Sequence, residues 1–527
     1  MRISRVLIEW IDTMPQLPPI NPADLPDRVD ISDNSAEVAR VRETATAGPY
    51  QPTWDSLRGY QPPLWYQDGK FGVFLHWGVF SVPAFGTEWY SRTMYLEGTE
   101  EFEHHVATYG PHRKFGYKDF IPSFTMEHFD PDDWAQLFKR AGAQFVVPVA
   151  EHHDGFAMYD TGRSRWSAAQ MGPRSDVFGQ LGQAVERAWM VVGASSHRAE
   201  HWFFMNGGAR FDSDVRDPAW FDFYGPAQRE EIAPNERFLE DWLLRCVEII
   251  DKYRPQILYF DWWIESPAFE PYLRLLAAYY YNSAHQRGRE VVINFKWDAF
   301  AAGSAVYDIE RGAMGGIQDS VWQSDTSVSR TSWSWVEGHE YKNVNELIAE
   351  LADTVSKNGV LLLNIGPKSD GTIPDEERRL LEGIGTWLTR NGEAIYGSRP
   401  WIIPAEGPTE LIVGSFVDAS SPQYTSADIR FTTRAHVTGD YLYATLLAHP
   451  EDGVARIRSF GSGAGLLTRG IQEVSVLGST EKVAWHRSSE SLDVTLPPTT
   501  PDLGGGPVVK CFLEPDARPP RVDFLHG

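Results

Sequence analysis

The sequence predicts an α/β protein, a (β/α)8-like barrel followed by a C-terminal β-sandwich, and three observations carry that expectation. Short apolar runs recur along much of the 527 residues, each ending in polar or aromatic residues, with amphipathic helical stretches between several of them. No GxGxxG follows the first run, which removes support for an open dinucleotide-binding sheet. Beyond Tyr396-Gly-Ser-Arg-Pro400 the texture changes to brief strand-like runs divided by Gly, Ser and Pro turns. The expected division is an irregular N-terminal arm at 1–58, a barrel at 59–404 and a sandwich at 405–527.

Residues 1–58 are rich in Pro, Asp and Ala and lack sustained periodicity. Barrel strands are then expected at 72–75, 145–149, 190–193, 257–260, 291–294 and 360–364. The clearest helix is 236–252, where Phe238, Trp242, Leu243, Val247, Ile249 and Ile250 fall near a 3.6-residue period before Tyr253-Arg-Pro255 ends it. A second, 344–357, stops at Asn358-Gly359, and a third spans 375–391. Sandwich strands are expected at 428–433, 441–448 and 473–476. With no strong polar constellation among them, this part is assigned a structural or accessory role.

Composition narrows the partners. The formal charge of −24 and the lack of any Lys/Arg cluster exclude a nucleic-acid surface. Aromatics make up 13% of the chain and include 20 Trp, residues that fill large cores and also stack on the apolar faces of sugar rings. The two cysteines, Cys246 and Cys511, are far apart and suggest neither a disulfide framework nor a zinc ribbon. No signal peptide is visible in this chain and no run reaches transmembrane length, so a cytoplasmic or otherwise soluble protein is expected, with no membrane partner. A homo-oligomer is left open.

In a barrel the chemistry sits where strands end. The first strand delivers His76 and Trp77 within Lys70-Phe-Gly-Val-Phe-Leu-His-Trp-Gly78, and Glu88-Trp-Tyr90 follows ten residues later. The second is followed by Glu151-His-His-Asp-Gly-Phe156, the third by Ser195-Ser-His-Arg-Ala-Glu200, and the fourth by Asp261-Trp-Trp263. Asp261, a strand-end carboxylate in an aromatic setting, is suited to attack carbon as a nucleophile. Adjacent His152 and His153 would point to opposite sides of an extended segment and face one pocket only if the backbone turns, for which Asp154-Gly155 has the right chemistry. His76, His152, His153 and His197 with Asp261 are also zinc-ligand types, yet their spacing matches no HxH, HExxH or CxxC pattern. No metal and no cofactor is therefore expected.

Four blocks in one order resemble the glycoside hydrolase family 29 α-L-fucosidases: the Lys70 to Gly78 block with Glu88-Trp-Tyr90, His152-His-Asp-Gly-Phe156, Asp261, and Val355-Ser-Lys-Asn-Gly-Val-Leu-Leu-Leu-Asn-Ile-Gly-Pro367 with Asp370-Gly-Thr-Ile-Pro374. The resemblance covers about residues 55 to 400. It implies a barrel plus sandwich and a metal-free, retaining, exo-acting α-L-fucosidase that works on fucosylated oligosaccharides or glycosides. Asp261 would be the nucleophile, while His76, Glu88, Trp89, His152 and His153 would hold the sugar. Three positions depart from the family pattern: Glu151 stands where Lys is common, His197 lies in a strand end that is usually richer in tyrosine, and Lys296 replaces a frequent Arg. His197 is expected to take over a hydroxyl contact, and Lys296 to supply the positive charge. Trp333 would border the pocket. Glu310 is the choice for acid/base, with Asp308, Glu337, Glu340 and Glu265 as rivals, and its pKa must be raised for acid work. The alternatives are a metal-dependent hydrolase using the His76/His152/His153/His197 cluster and a non-catalytic fucose-binding barrel.

Overall fold

The computed structural model describes residues 19–20, 25–418, 422–498 and 504–515. Eight parallel strands close into a barrel in chain order: β1 (Phe71–Leu75), β2 (Phe145–Glu151), β3 (Val191–Ser196), β4 (Ile257–Phe260), β5 (Val292–Phe295), β6 (Val306–Glu310), β7 (Trp322–Ser327) and β8 (Gly359–Ile365). Strand β8 pairs back onto β1 through Phe71↔Leu361 to Leu75↔Ile365. Every residue of β1, β2 and β8 is buried, as expected of strands covered on both faces, and this is why they read as continuous apolar runs.

Six barrel strands coincide with the expected runs; β6 and β7 do not read as strands in the sequence. Both carry polar side chains into the barrel interior, where Gln323 Nε2 donates to Asp308 Oδ1 at 2.7 Å and Tyr259 Oη donates to Asp325 Oδ2 at 2.9 Å. A buried polar network of this kind erases the apolar signature on which strand recognition depends.

Among the described residues the helices of ten residues or more are α1 (Ser35–Thr46), α2 (Glu100–Tyr109), α3 (Pro131–Arg140), α4 (Val177–Arg187), α5 (Glu236–Tyr253), α6 (Glu270–Gln286), α7 (Val344–Ser356) and α8 (Asp375–Asn391). Their ends follow from the sequence. Asn235 caps α5 by accepting from the Phe238 amide, and Arg254 closes that helix at φ 52°. Asn343 and Glu346 form a capping box at the start of α7. Helix α1 corrects the expectation of a wholly irregular arm, whose first residues lie outside those described. Only Val38, Val41 and Ala45 of α1 are buried, too few to stand out as a periodic pattern. The helix is held from outside, by Asn282 of α6 donating to the carbonyls of Thr44 and Ala45.

The C-terminal part is a β-sandwich. A five-stranded antiparallel sheet in the order β13 (Ile471–Val476), β16 (Val508–Leu513), β11 (Gly439–Leu446), β10 (Ile429–His436) and β9 (Arg399–Glu406) faces a three-stranded one, β12 (Val454–Ile457), β15 (Leu492–Thr495) and β14 (Trp485–Arg487). Phe431, Leu442 and Cys511 from one sheet share a core with Ile457, Leu492 and Val494 from the other. The sandwich docks on α7 through Asp353, which accepts from Arg430 Nε at 2.6 Å, and on α8 through Trp387 Nε1, which donates to the Gly506 carbonyl at 2.9 Å. Cys246 and Cys511 are both buried and unpaired. Among the described residues no helix is long and apolar enough to cross a membrane.

The glycine of the Lys70-Phe-Gly block has a packing role. A Cβ on Gly72 would come 2.0 Å from the ring of Phe145, its partner across β1 and β2. Gly72→Ala is expected to destabilise the barrel by about 1–3 kcal/mol through overpacking. An unchanged midpoint in urea unfolding would contradict this packing.

Candidate active site

The C-terminal ends of the strands surround a cavity of about 620 Å³, and all ten residues singled out in the sequence line it: His76, Glu88, Trp89, His152, His153, His197, Asp261, Lys296, Glu310 and Trp333. Asp261 follows β4 directly, two residues after inward-facing Tyr259; Lys296 follows β5, and Glu310 ends β6. Because β5 lies between β4 and β6, the lysine reaches both carboxylates. Its Nζ donates to Asp261 Oδ1 at 2.9 Å and to Glu310 Oε2 at 2.6 Å, with Asp325 Oδ2 at 3.6 Å behind it.

The two carboxyl groups have opposite electrostatics. Burial by itself would raise Asp261, but the Lys296 ammonium and the contact with His197 hold it well below the usual carboxylate range. Burial pushes Glu310 up to about 7; Lys296 opposes that rise, and the negative charges of Asp325 and Asp261 add to it. Lys296 is itself buried, yet the surrounding Asp261, Asp325 and Glu310 keep it protonated well above the ordinary lysine value.

The histidines form a second face. His153 Nδ1 donates to the His197 carbonyl at 3.0 Å, which leaves its Nε2 as an acceptor 3.5 Å from Asp261 Oδ2, a pair that a substrate hydroxyl can bridge. The carboxamide oxygen of Asn364 accepts from His76 Nδ1 at 2.8 Å and turns His76 Nε2 outward as a further acceptor. Burial holds His76, His152 and His153 below the ordinary histidine value, so all three are neutral near pH 7. The turn expected after β2 is present: Gly155 lies at φ 78° and donates to the His152 carbonyl.

His197 lines the cavity and is held by the protein on both sides of its ring. Its Nδ1 is 3.0 Å from Asp261 Oδ2 and its Nε2 contacts Ser195 Oγ, so both nitrogens are engaged by the protein and the ring orients Asp261. Nitrogen atoms of His76, His152 and His197 lie within 4.8 Å of one another, a spacing that invites a metal. For these three to act as ligands, His197 would have to give up Asp261 or Ser195, which makes the cluster a poorer fit to a metal than to hydroxyl groups.

Glu88 Oε2 accepts from the Trp333 amide at 2.8 Å and from Ser332 Oγ at 3.2 Å, and burial raises its pKa. Trp89 lies nearly parallel to Trp262, and the Arg311 guanidinium sits 4.8 Å from the Trp333 ring centroid. Of the rival acids, Glu337 and Glu340 are exposed and outside the cavity, Asp308 lies beneath it, and Glu265 lines its wall. Sequence reasoning missed Asp325, Arg311, Phe416 and Asp418 as lining residues. Asp325 was detectable only by recognising β7 as a strand. Phe416 and Asp418 come from the connection between β9 and β10 and carry no local signal.

Glu151 has a structural explanation. It is buried and paired with Arg198 and with Arg245, both of which also bind Asp241, so the residue preceding the histidine pair ties β2 to β3 and α5. Glu151→Ala is expected to cost about 3–5 kcal/mol by leaving buried guanidinium charge uncompensated. A loss below about 1 kcal/mol in chemical denaturation would contradict that support role.

Comparison with known proteins agrees with this geometry. The family profile described as alpha-L-fucosidase matches residues 37–393, and that of the alpha-L-fucosidase C-terminal domain matches residues 423–509. The chain is 30% identical over 462 residues to the tissue alpha-L-fucosidase of Rattus norvegicus, covering 86% of this chain and 89% of that protein. It is 28% identical over 446 residues to the plasma alpha-L-fucosidase of Homo sapiens, covering 83% and 86%. The crystal structure of the Thermotoga maritima alpha-fucosidase superposes with a TM-score of 0.69 at 27% identity, covering 88% of this chain and all of that one. Barrel, sandwich and the paired carboxylates at the strand ends thus belong together: the chain is a member of the α-L-fucosidase family and a glycoside hydrolase.

Proposed function

We propose that this enzyme is an exo-acting, retaining α-L-fucosidase that removes terminal α-L-fucose from glycans or glycosides through a covalent fucosyl-enzyme. The observation that carries the proposal is the lysine shared by two carboxyl groups of opposite pKa. One ammonium bonds both, so the two bonded oxygens lie within about 5.5 Å of each other, short of the roughly 6.5–9.5 Å of inverting pairs and in keeping with the roughly 5–5.5 Å of retaining ones. Solved structures of the Thermotoga maritima enzyme, 27% identical, include complexes with fucose and with a mechanism-based inhibitor, which supports the same sugar here.

In the first step an ionised Asp261 oxygen bonds the anomeric carbon as the glycosidic C–O bond breaks, and protonated Glu310 gives its proton to the departing oxygen. Esterification removes the Asp261 charge that helped raise Glu310, and Lys296 is left free to favour its anion. Glu310 then takes a proton from water, which attacks the same carbon from the other face, restores the starting configuration and frees Asp261. Neutral His76, His152 and His153 with Glu88 supply a fan of hydroxyl partners, and Trp89 and Trp333 supply apolar wall. Packing of Phe74 against Tyr259, with centroids 4.9 Å apart, closes the floor beneath the site.

Asp261→Ala is expected to lower kcat by about four orders of magnitude or more, with azide restoring turnover as a fucosyl azide of inverted configuration. Glu310→Ala is expected to yield with azide the product of retained configuration. Product anomers read by NMR decide both, and retained activity in Asp261→Ala would sink the nucleophile assignment. The pH profile tests the same pair. Glu310 must be protonated to act first, so kcat/KM is expected to fall as pH rises through about 7, while depressed Asp261 keeps the acid side flat down to about pH 4. Lys296→Met is expected to move the alkaline limb upward, since the ammonium holds Glu310 down. A limb that does not move would contradict this coupling.

A further inference from the structure

We propose that Trp297 and Phe416 form the aglycone subsite of this enzyme, an aromatic clamp for the pyranose ring that carries the fucose; this rests on the fucosidase function proposed above. Among the exposed large apolar side chains, these two line the cavity, Trp297 being 52% and Phe416 58% exposed. Both flank the acid. Trp297 follows Lys296 at the end of β5, and the Phe416 amide donates to the carbonyl of Glu310 at 2.9 Å. Because Glu310 protonates the leaving oxygen, the aglycone departs on this side, and two rings with open faces stand where it must pass.

The placement of Phe416 is built rather than incidental. The connection between β9 and β10 returns to the barrel and runs along the end of β6, where Gly414 and Ala313 exchange backbone hydrogen bonds and the Val417 amide donates to the Arg311 carbonyl. Asp418 then anchors the segment, accepting from Lys342 Nζ at 2.7 Å and Thr326 Oγ1 at 2.6 Å, with Arg311 at 3.4 Å. Both aromatic residues sit in the left-handed backbone region, Trp297 at φ 58° and Phe416 at φ 56°, a conformation that bulky side chains rarely adopt and that is concentrated at ligand-binding sites. The clamp has a polar complement on the cavity wall. Glu265 lines the same cavity, and its carboxyl group offers an acceptor to an aglycone hydroxyl. The apolar C–H face of a pyranose against an aromatic ring, with its rim hydroxyls directed to Glu265, matches this surface.

The test compares, in the full-length enzyme, kcat/KM for the best-cleaved member of a panel of fucosyl disaccharides with kcat/KM for α-L-fucosyl fluoride, whose leaving group has no ring to clamp. In Phe416→Ala and in Trp297→Ala the ratio of the two is expected to fall about tenfold. Phe416→Trp is expected to recover most of the loss, which a general disturbance of the fold would not allow. A ratio within about twofold of wild type in both alanine variants, whatever the absolute rates, would overturn the subsite. A wild-type enzyme that cleaves the fluoride but no disaccharide would also overturn it, whereas failure to cleave the fluoride would overturn the fucosidase proposal itself.

Discussion

One buried ammonium organises this molecule's chemistry. Lys296 stands between Asp261 and Glu310 with Asp325 behind it, and a single cation cannot equally satisfy three carboxyl groups in a water-poor cavity. The excess negative charge is resolved by unequal sharing. Asp261 gains His197 in addition to the lysine and stays ionised, while Glu310, faced by Asp325 and Asp261, holds its proton near neutrality. The division of labour between proposed nucleophile and acid thus follows from which neighbours each carboxyl group was given.

That arrangement depends on barrel geometry. Consecutive parallel strands end side by side, so residues 261, 296 and 310 meet at β4, β5 and β6 although the chain travels through α6 between the first two. Asp308, Gln323 and Tyr259 fill the layer beneath and are bonded to one another or to Asp325, which keeps the floor polar, rigid and closed. On the opposite side the Glu151–Arg198–Arg245–Asp241 network supports the ends of β2 and β3, from which His152, His153 and His197 project. The sandwich is more than an appendage, because its β9 to β10 connection contributes Phe416 and Asp418 to the cavity and bonds the backbone at Glu310. The accessory role suggested by its sequence overlooked that return path.

What the sequence made legible follows the range of each signal. Runs such as 72–75 and 360–364 announce strands because apolar continuity is local, and Asn343 with Glu346 announces a helix start because capping is local too. Lys296 came from the family resemblance, whereas the strand-end rule was enough to select Asp261 and His76. It failed for β6 and β7, whose interior polar residues imitate a loop, and for α1, whose stability comes from Asn282 more than two hundred residues away. Nor could it show that Ser195 and Asp261 occupy both ring nitrogens of His197.

Fold class and the strand-end candidates His76, His152, His153 and Asp261 were therefore legible in the sequence alone, since each rests on residue type and spacing within a few turns or strands of chain. The tertiary structure alone decided that Lys296 is shared, that Glu310 rather than Glu337 or Glu340 shares it with Asp261, and that a segment from the sandwich walls the cavity beside Glu310. The reason is physical: a carboxyl group's proton affinity is set by burial and by the charges within a few ångströms of it, and in a closed barrel those charges come from strands far apart in the chain.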